Sequence, residues 1–322
     1  MDLEAVHTLL SIQSHVVHGY VGNKSSTFPL QCQGWDVDAL NTVNFSNHTG
    51  YGSIKGTQGT AEEITSLFEG VKTIGVKYDA LLTGYVAGAE SLEAVGAIGL
   101  ELKSKNENCL WLLDPVMGDE GKLYVSEKVI PIYQKLLTRG GIDIITPNQF
   151  EAELIVGYKI DCEETLKRAL SDLHTKFKVP NVVISSLNLE PNDQSKECKL
   201  LTVTSISLHD EVYSSVFEVP YIESYFTGVG DLFSALLLDR VYKFNTLNKE
   251  KTKDFLNEAV NEVLSVMSQV LRVTSQAAQQ TLGKSVKSQM GSAATMKECE
   301  LRLVQCRDLY SSNEKKFISR LI

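Results

Sequence analysis

The sequence predicts an α/β protein: a three-layer α/β/α sandwich around a mostly parallel central sheet. Three observations carry this. Short apolar, β-rich runs alternate with longer stretches of helical periodicity along most of the 322 residues. Most of the runs are apolar on both faces, as parallel strands covered by helices have to be. Polar residues gather where the runs stop, at the strand ends where open α/β sheets bind ligands. No internal repeat and no linker divides the chain, so residues 1–322 read as one domain.

Taken in order, the first candidate strand is Thr8–Ile12, and the glycine-containing stretch Ser11–Asn23 joins it to a helix. Val37–Val43 is the second strand, with the aromatic and polar loop Phe45–Tyr51 after it. Helical periodicity then spans Ala61–Gly70, Ala89–Lys103 and Glu127–Leu137. Between these lie the short buried runs Ala80–Leu82 and Leu110–Leu113, and beyond them Ile142–Ile145 and Val182–Ile184. Thr146 suits a helix N-cap, Pro147 the first helical position, and Gln149 a capping box. The rhythm then changes: Lys199–Ser205 and Glu211–Val219 are two strands with a short connection, hence a hairpin. Phe255–Arg272 is an amphipathic helix, the polar residues 274–296 read as a surface loop, and Lys297–Leu309 as a last helix.

Composition excludes several functions. A net charge of −9 argues against non-specific binding to nucleic acid or anionic membrane. No apolar run is long enough to span a bilayer, and the start of the chain does not read as a secretory signal. Six scattered cysteines without a C-x-x-C pair fit a reducing compartment. An anionic substrate would have to be held by local donors and metal ions.

The most informative segment is Tyr225–Asp239. Gly228 and Gly230 bracket Val229, Asp231 follows at once, and apolar residues then recur at helical spacing (Leu232, Ala235, Leu236, Val241). Backbone N–H groups at such a helix start can hold an anion, and Asp231 sits beside it as a base for a hydroxyl. Alternatively, Asp231 is only a carboxylate favoured by the helix dipole. Asp114–Asp119 ends a buried strand with two carboxylates that could meet Mg²⁺, or forms an ordinary Asp-Pro-Gly turn. Asn148 and Glu151 lie three apart on one helical face and suit a hydrated cation. His15 and His18 lack further ligands at zinc spacing. Gly283-Lys284-Ser285 lacks the first glycine and the strand of a P-loop, and Gly228–Phe233 fails the dinucleotide fingerprint.

Together, Ser11–Asn23, Phe45–Tyr51, Leu82–Tyr85, Asp114–Asp119, Ile145–Leu154, Val183–Ser186 and Gly228–Leu232 resemble the pyridoxal kinases of the ribokinase-like superfamily. The resemblance covers most of the chain. The Gly-x-Gly-Asp element marks the superfamily, whereas the Ser11–Val16 and Phe45–Tyr51 runs point to the pyridoxal enzymes. It implies ATP-dependent phosphorylation of the 5′-hydroxymethyl group of pyridoxal, pyridoxine and pyridoxamine. Asp231 would take the proton, and Gly228, Val229 and Gly230 would form the anion hole. Ser14, Val21, Phe45, His48, Thr49 and Tyr85 would line the vitamer pocket. Asp114, Asn148 and Glu151 would organise Mg²⁺ and a monovalent cation (K⁺ or Na⁺). Asp119, Tyr124, Thr146, Asn148, Ser185, Ser186, Thr227 and Val229 would contact ATP, with Ile222–Ser224 near the adenine. A cytoplasmic homodimer is implied, with the nucleus as a further compartment and no nucleic-acid or membrane partner. Two departures stand out: Val229 where relatives usually carry Thr or Ala, and a short segment between Asp119 and Tyr124. The alternatives are a hydroxymethylpyrimidine kinase and a non-catalytic B6-binding member.

Overall fold

The computed structural model describes residues 6–189, 199–222, 224, 226–247, 252–283 and 290–322. Twelve strands are present among them: β1 (His7–Val16), β2 (Trp35–Phe45), β3 (Gly56–Gln58), β4 (Ala80–Thr83), β5 (Leu110–Leu113), β6 (Gly118–Asp119), β7 (Lys122–Leu123), β8 (Ile144–Ile145), β9 (Asn181–Leu187), β10 (Lys199–Leu208), β11 (Glu211–Pro220) and β12 (Ser319–Leu321). The helices are α1 (Asn23–Cys32), α2 (Ala61–Thr73), α3 (Ala89–Lys105), α4 (Val129–Arg139), α5 (Gln149–Val156), α6 (Glu163–Thr175), α7 (Val229–Leu247), α8 (Phe255–Leu282) and α9 (Ala293–Glu298). Ten strands form one sheet in the order β12-β11-β10-β9-β8-β5-β4-β1-β2-β3, and β6 and β7 make a separate small hairpin. From β2 through β1, β4, β5 and β8 to β9 every pairing is parallel. β3 and the run β10, β11, β12 add antiparallel edges.

Side chains alternate across the parallel strands and feed two cores. Leu10, Leu81, Trp111 and Leu113 enter the core that also holds Ile64 of α2, Val95 of α3, Leu137 of α4 and Leu170 of α6. Leu9, Leu82, Leu110 and Leu112 enter the other, with Leu30 of α1, Leu236 of α7 and Val263 of α8. Each strand is thus apolar on both faces, which is the pattern the sequence displays. Trp35 Nε1 donates to buried Asp239 at 2.9 Å and Arg240 pairs with Glu262 at 3.0 Å, tying α7 to β2 and α8. No helix among the described residues is long and apolar enough to cross a membrane.

Several expectations need correction. The helix from Phe255 runs on to Leu282, because Thr274 and Ala278 continue its buried stripe and the intervening polar residues face outward. Residues 284–289 of the expected loop, with most of the failed P-loop match, lie outside the described residues, as do Glu223 and Tyr225, and the end of that loop is instead the start of α9. The last helix is α9, not Lys297–Leu309. Between it and a short 3₁₀ turn at Arg307–Leu309 the chain is irregular, because Leu301 and Leu303 both point into the core at a spacing that no helix serves. The N-cap of α5 is Asn148, not Thr146: Asn148 Oδ1 accepts the Glu151 N–H at 2.9 Å and Glu151 Oε2 accepts the Asn148 N–H at 2.9 Å. The reciprocal pairing with Glu151 makes Asn148 the cap, and the Thr146 hydroxyl is engaged instead by Ser234 Oγ at 2.8 Å. β1 and β9 also outrun their predicted ends, placing Ser14, Ser185 and Ser186 within the strands.

Candidate active site

The carboxyl ends of β1, β2, β4, β5, β8 and β9 open onto one cleft. Its floor is the start of α7. Gly228 has φ +74, and a Cβ there would sit 1.9 Å from the Tyr20 carbonyl oxygen, so only glycine fits. α1 braces the turn: Ser25 Oγ donates to the Gly228 carbonyl at 2.8 Å and Ser26 Oγ to the Asp231 carbonyl at 3.2 Å. α7 begins at Val229, so the N–H groups of its first turn have no partner within the helix and can face an anion.

Three carboxylates meet above this turn. Asp114 ends β5, where its N–H donates to the Thr83 carbonyl at 2.8 Å. Ser234 Oγ donates to Asp114 Oδ2 at 3.2 Å and is 2.8 Å from Thr146 Oγ1. Glu151, only 4% exposed, accepts backbone N–H groups from Met117 at 2.9 Å and Asn148 at 2.9 Å. Asp231 is partly exposed to the cleft. Burial, then the negative charges of Glu151 and Asp231, raise the Asp114 carboxyl well above the usual range. Burial pushes Glu151 up to about 8, against the pull of its N–H donors. Burial also raises Asp231, opposed by the Gly22 N–H. Like charges at this spacing call for a counter-charge, and a cation would supply it. No group of three or more His, Cys, Asp or Glu among the described residues forms a metal cage. One or two carboxylates per ion, the rest water and phosphate, is how Mg²⁺ is normally held. Asn148 is committed to the protein, capping α5 and donating through Nδ2 to the Gly118 carbonyl at 2.7 Å.

Two adjoining cavities occupy the cleft. The smaller, of about 290 Å³, is lined by Ser14, Val21, Phe45, His48, Thr49, Tyr85, Asp114, Tyr124, Thr146, Glu151, Thr227, Gly228 and Asp231. Its walls combine aromatic and aliphatic surface with a few polar groups, the make-up of a small-molecule site. The larger, of about 830 Å³, runs between β9, β10 and α8 and includes Ser186 and Ile222. Asp119, Asn148, Ser185, Val229 and Gly230 line both. Every site residue named from the sequence therefore reaches the cleft except Ser224. That side chain lines neither cavity and rests 3.8 Å from the Cys299 thiol. Sequence reasoning missed Leu264, Met267 and Leu271 of α8 on the larger cavity, since apolar residues at helical spacing read as plain core. It missed Met290 on the smaller. The segment after Asp119 is a tight hairpin turned by Glu120 (φ 47) and Gly121 (φ 77), which brings Tyr124 quickly to the cavity.

Comparison with known proteins gives the family. A family model described as "Phosphomethylpyrimidine kinase" matches residues 32–274. A Saccharomyces cerevisiae protein named "Putative pyridoxal kinase BUD16" is 48% identical over 309 residues, covering 94% of this chain and 95% of the relative. Human pyridoxal kinase is 38% identical over 309 residues, 93% of each chain. The solved structure of Leishmania donovani pyridoxal kinase in complex with ADP and pyridoxamine superposes with a TM-score of 0.83 at 32% identity, covering 98% of this chain and 99% of that one.

Proposed function

The chain belongs to the pyridoxal kinase family of the ribokinase-like superfamily, and we propose that it transfers the γ-phosphoryl group of ATP to the 5′-hydroxymethyl oxygen of pyridoxal, pyridoxine and pyridoxamine, with Asp231 taking the proton. The product from pyridoxal is pyridoxal 5′-phosphate. The smaller cavity holds the vitamer and the larger one the nucleotide. The observation that carries the reading is that Asp231 faces the smaller cavity while its neighbours Val229 and Gly230 line both.

Phosphoryl transfer asks mainly for alignment and charge neutralisation. The first-turn N–H groups of α7 aim at the equatorial oxygens of the moving phosphoryl group. Asp231 stands on the vitamer side of that nest and accepts the hydroxyl proton as the new O–P bond forms and the bond to the β-phosphate oxygen breaks. The raised affinity of Asp231 for a proton suits the role. Ser14 and Thr49 supply polar contacts for the pyridine edge, and Phe45 and Tyr85 its apolar walls. Asp114 and Glu151 would hold Mg²⁺ and a monovalent cation (K⁺ or Na⁺), which would neutralise charge on the phosphates, while Asn148, expected among the ligands, fixes Glu151 by capping α5.

A steady-state assay of pyridoxal phosphate formation tests this. Asp231→Ala lowers kcat by on the order of 10²–10⁴ with little change in the KM for ATP. An unchanged rate would remove Asp231 from the role. The family model's description favours one second reading, a hydroxymethylpyrimidine kinase. The relatives that match over nearly the whole chain carry pyridoxal kinase names instead, and kcat/KM for the two acceptors decides between them. The intact Asp231 and glycine nest speak against a non-catalytic B6 binder. A homodimer and a cytoplasmic site of action, with the nucleus as a further compartment, complete the proposal. Sedimentation of the purified protein and localisation of a tagged chain test these.

A further inference from the structure

One buried carboxylate has no part in phosphoryl transfer as described, yet it fastens His48, which lines the smaller cavity. Glu300 follows α9, is 4% exposed, and lies beyond residues 32–274 that match the family model. Its Oε2 accepts the Tyr20 N–H at 2.9 Å. Its Oε1 accepts the Tyr51 hydroxyl at 2.9 Å and lies 3.0 Å from His48 Nε2. A buried carboxylate is costly unless hydrogen-bonded throughout, and here the partners are the turn behind the glycine nest and the loop that lines the pocket.

The state of His48 follows from its neighbours. Nδ1 accepts the Gly50 N–H at 3.2 Å, capping the short 3₁₀ turn Thr49–Tyr51. An accepting nitrogen bears no hydrogen, so in the neutral ring Nε2 carries it. That N–H is shared between Glu300 Oε1 and Thr227 Oγ1, the latter at 3.1 Å. Nε2–H has no lone pair, so Thr227 accepts here and its own hydrogen points elsewhere. Thr227 lines the smaller cavity beside Gly228, and among the described residues its hydroxyl has no other partner.

We propose that Glu300 is a positioning residue for the acceptor pocket: it holds His48 as an Nε2–H donor and thereby leaves the Thr227 hydroxyl as a hydrogen-bond donor into the cleft at the edge of the nest. The inference rests on the kinase reading above. Thr227 lines the smaller cavity and not the larger, so its hydroxyl serves the acceptor and not ATP, the partner the sequence suggests for it. Glu300→Gln disturbs this without changing shape. Wherever its amide NH₂ points, toward the Tyr20 N–H or toward the His48 Nε2–H, it meets another donor. Facing His48, it drives the ring to the other tautomer, whose single Nε2 lone pair accepts from either the amide or the Thr227 hydroxyl; either way Thr227 loses the N–H that kept its own hydrogen turned to the cleft.

The test has two parts. Imidazole ¹⁵N NMR of the wild-type protein without substrates should show His48 as the neutral Nε2–H tautomer, and an Nδ1–H ring overturns the proposal. In steady-state assays, Thr227→Val and Glu300→Gln should each raise the KM for pyridoxal about 10-fold, the worth of one hydrogen bond, and leave the KM for ATP unchanged. The double variant should be no worse than the poorer single one, since both remove the same donor. Multiplied effects, or equal loss toward both substrates, would show Glu300 to be a packing group. If Glu300→Gln does not fold, a normal pyridoxal KM in Thr227→Val overturns the proposal by itself. A wild-type protein that makes no pyridoxal phosphate sinks the kinase reading instead, and leaves the NMR result standing.

Discussion

Gly228→Ala is the most demanding test of how the nest is built. The added Cβ meets two obstacles. At φ +74 an L-residue costs about 1–2 kcal/mol. The Cβ would also lie 1.9 Å from the Tyr20 carbonyl oxygen, whereas real Cβ atoms essentially never approach closer than 3.0 Å. The turn after β1 and the start of α7 must therefore part by about 1 Å, a displacement that costs about 10²-fold when it reaches reacting groups. Repacking adds to the strain, for a total of about 2–4 kcal/mol and a fall in Tm of about 3–6 °C. Gly230→Ala is the control. Its Cβ would rest 3.6 Å from Asp114 Oδ2, an ordinary contact, with no positive φ. That change should raise stability by about 0.4–1 kcal/mol by restricting the unfolded chain. Thermal melts and the pyridoxal phosphate assay read both variants. If Gly228→Ala keeps its Tm and a kcat within about 3-fold of wild type, well short of the expected loss, the collision with Tyr20 does not govern the nest. If both variants lose stability equally, the cause is a general need for glycine and not that contact.

Two further outcomes are expected. Glu151 is held at about 8 in the folded protein against an ordinary value of 4.5, so between these values the folded state binds more protons than the unfolded one. Stability of the ligand-free protein is then fullest below the ordinary carboxylate range and is lost as pH rises through about 8. Melts from about pH 5 to about pH 8.5 should show the decline, Glu151→Gln should flatten it, and Mg²⁺ should offset it at the alkaline end; a Tm that climbs with pH would contradict the picture. Val229→Thr places a hydroxyl where both cavities meet, and should lower the KM for ATP by about 5-fold, one hydrogen bond's worth, with the pyridoxal KM unchanged; an unaltered KM for ATP would show that no acceptor lies within reach.

The centre of the sheet was legible because its strands feed two cores and so betray themselves as doubly apolar runs. The edges were not. β3 and β12 are three residues each, largely exposed, and have no apolar run to announce them. The polar residues of the cleft were legible as a set because they all follow buried runs, though their individual roles came from family resemblance. At the start of α5 the residue types alone were ambiguous, since Thr146 and Asn148 are both good caps and the capping box that Glu151 closes with Asn148 decides. Glu300 gave no local signal at all. It sits in a charged stretch, Lys297–Arg302, and its burial is dictated by residues near the other end of the chain.

That separation has a bearing on synthesis. Tyr20 and Glu300 are 280 positions apart, so a nascent chain emerging from the ribosome carries Asp231 and its glycines well before the residue that fastens the vitamin's side of the crevice. On the roles proposed above, the base is made early and the chamber it serves is finished late, so that turnover waits until residue 300 has been delivered.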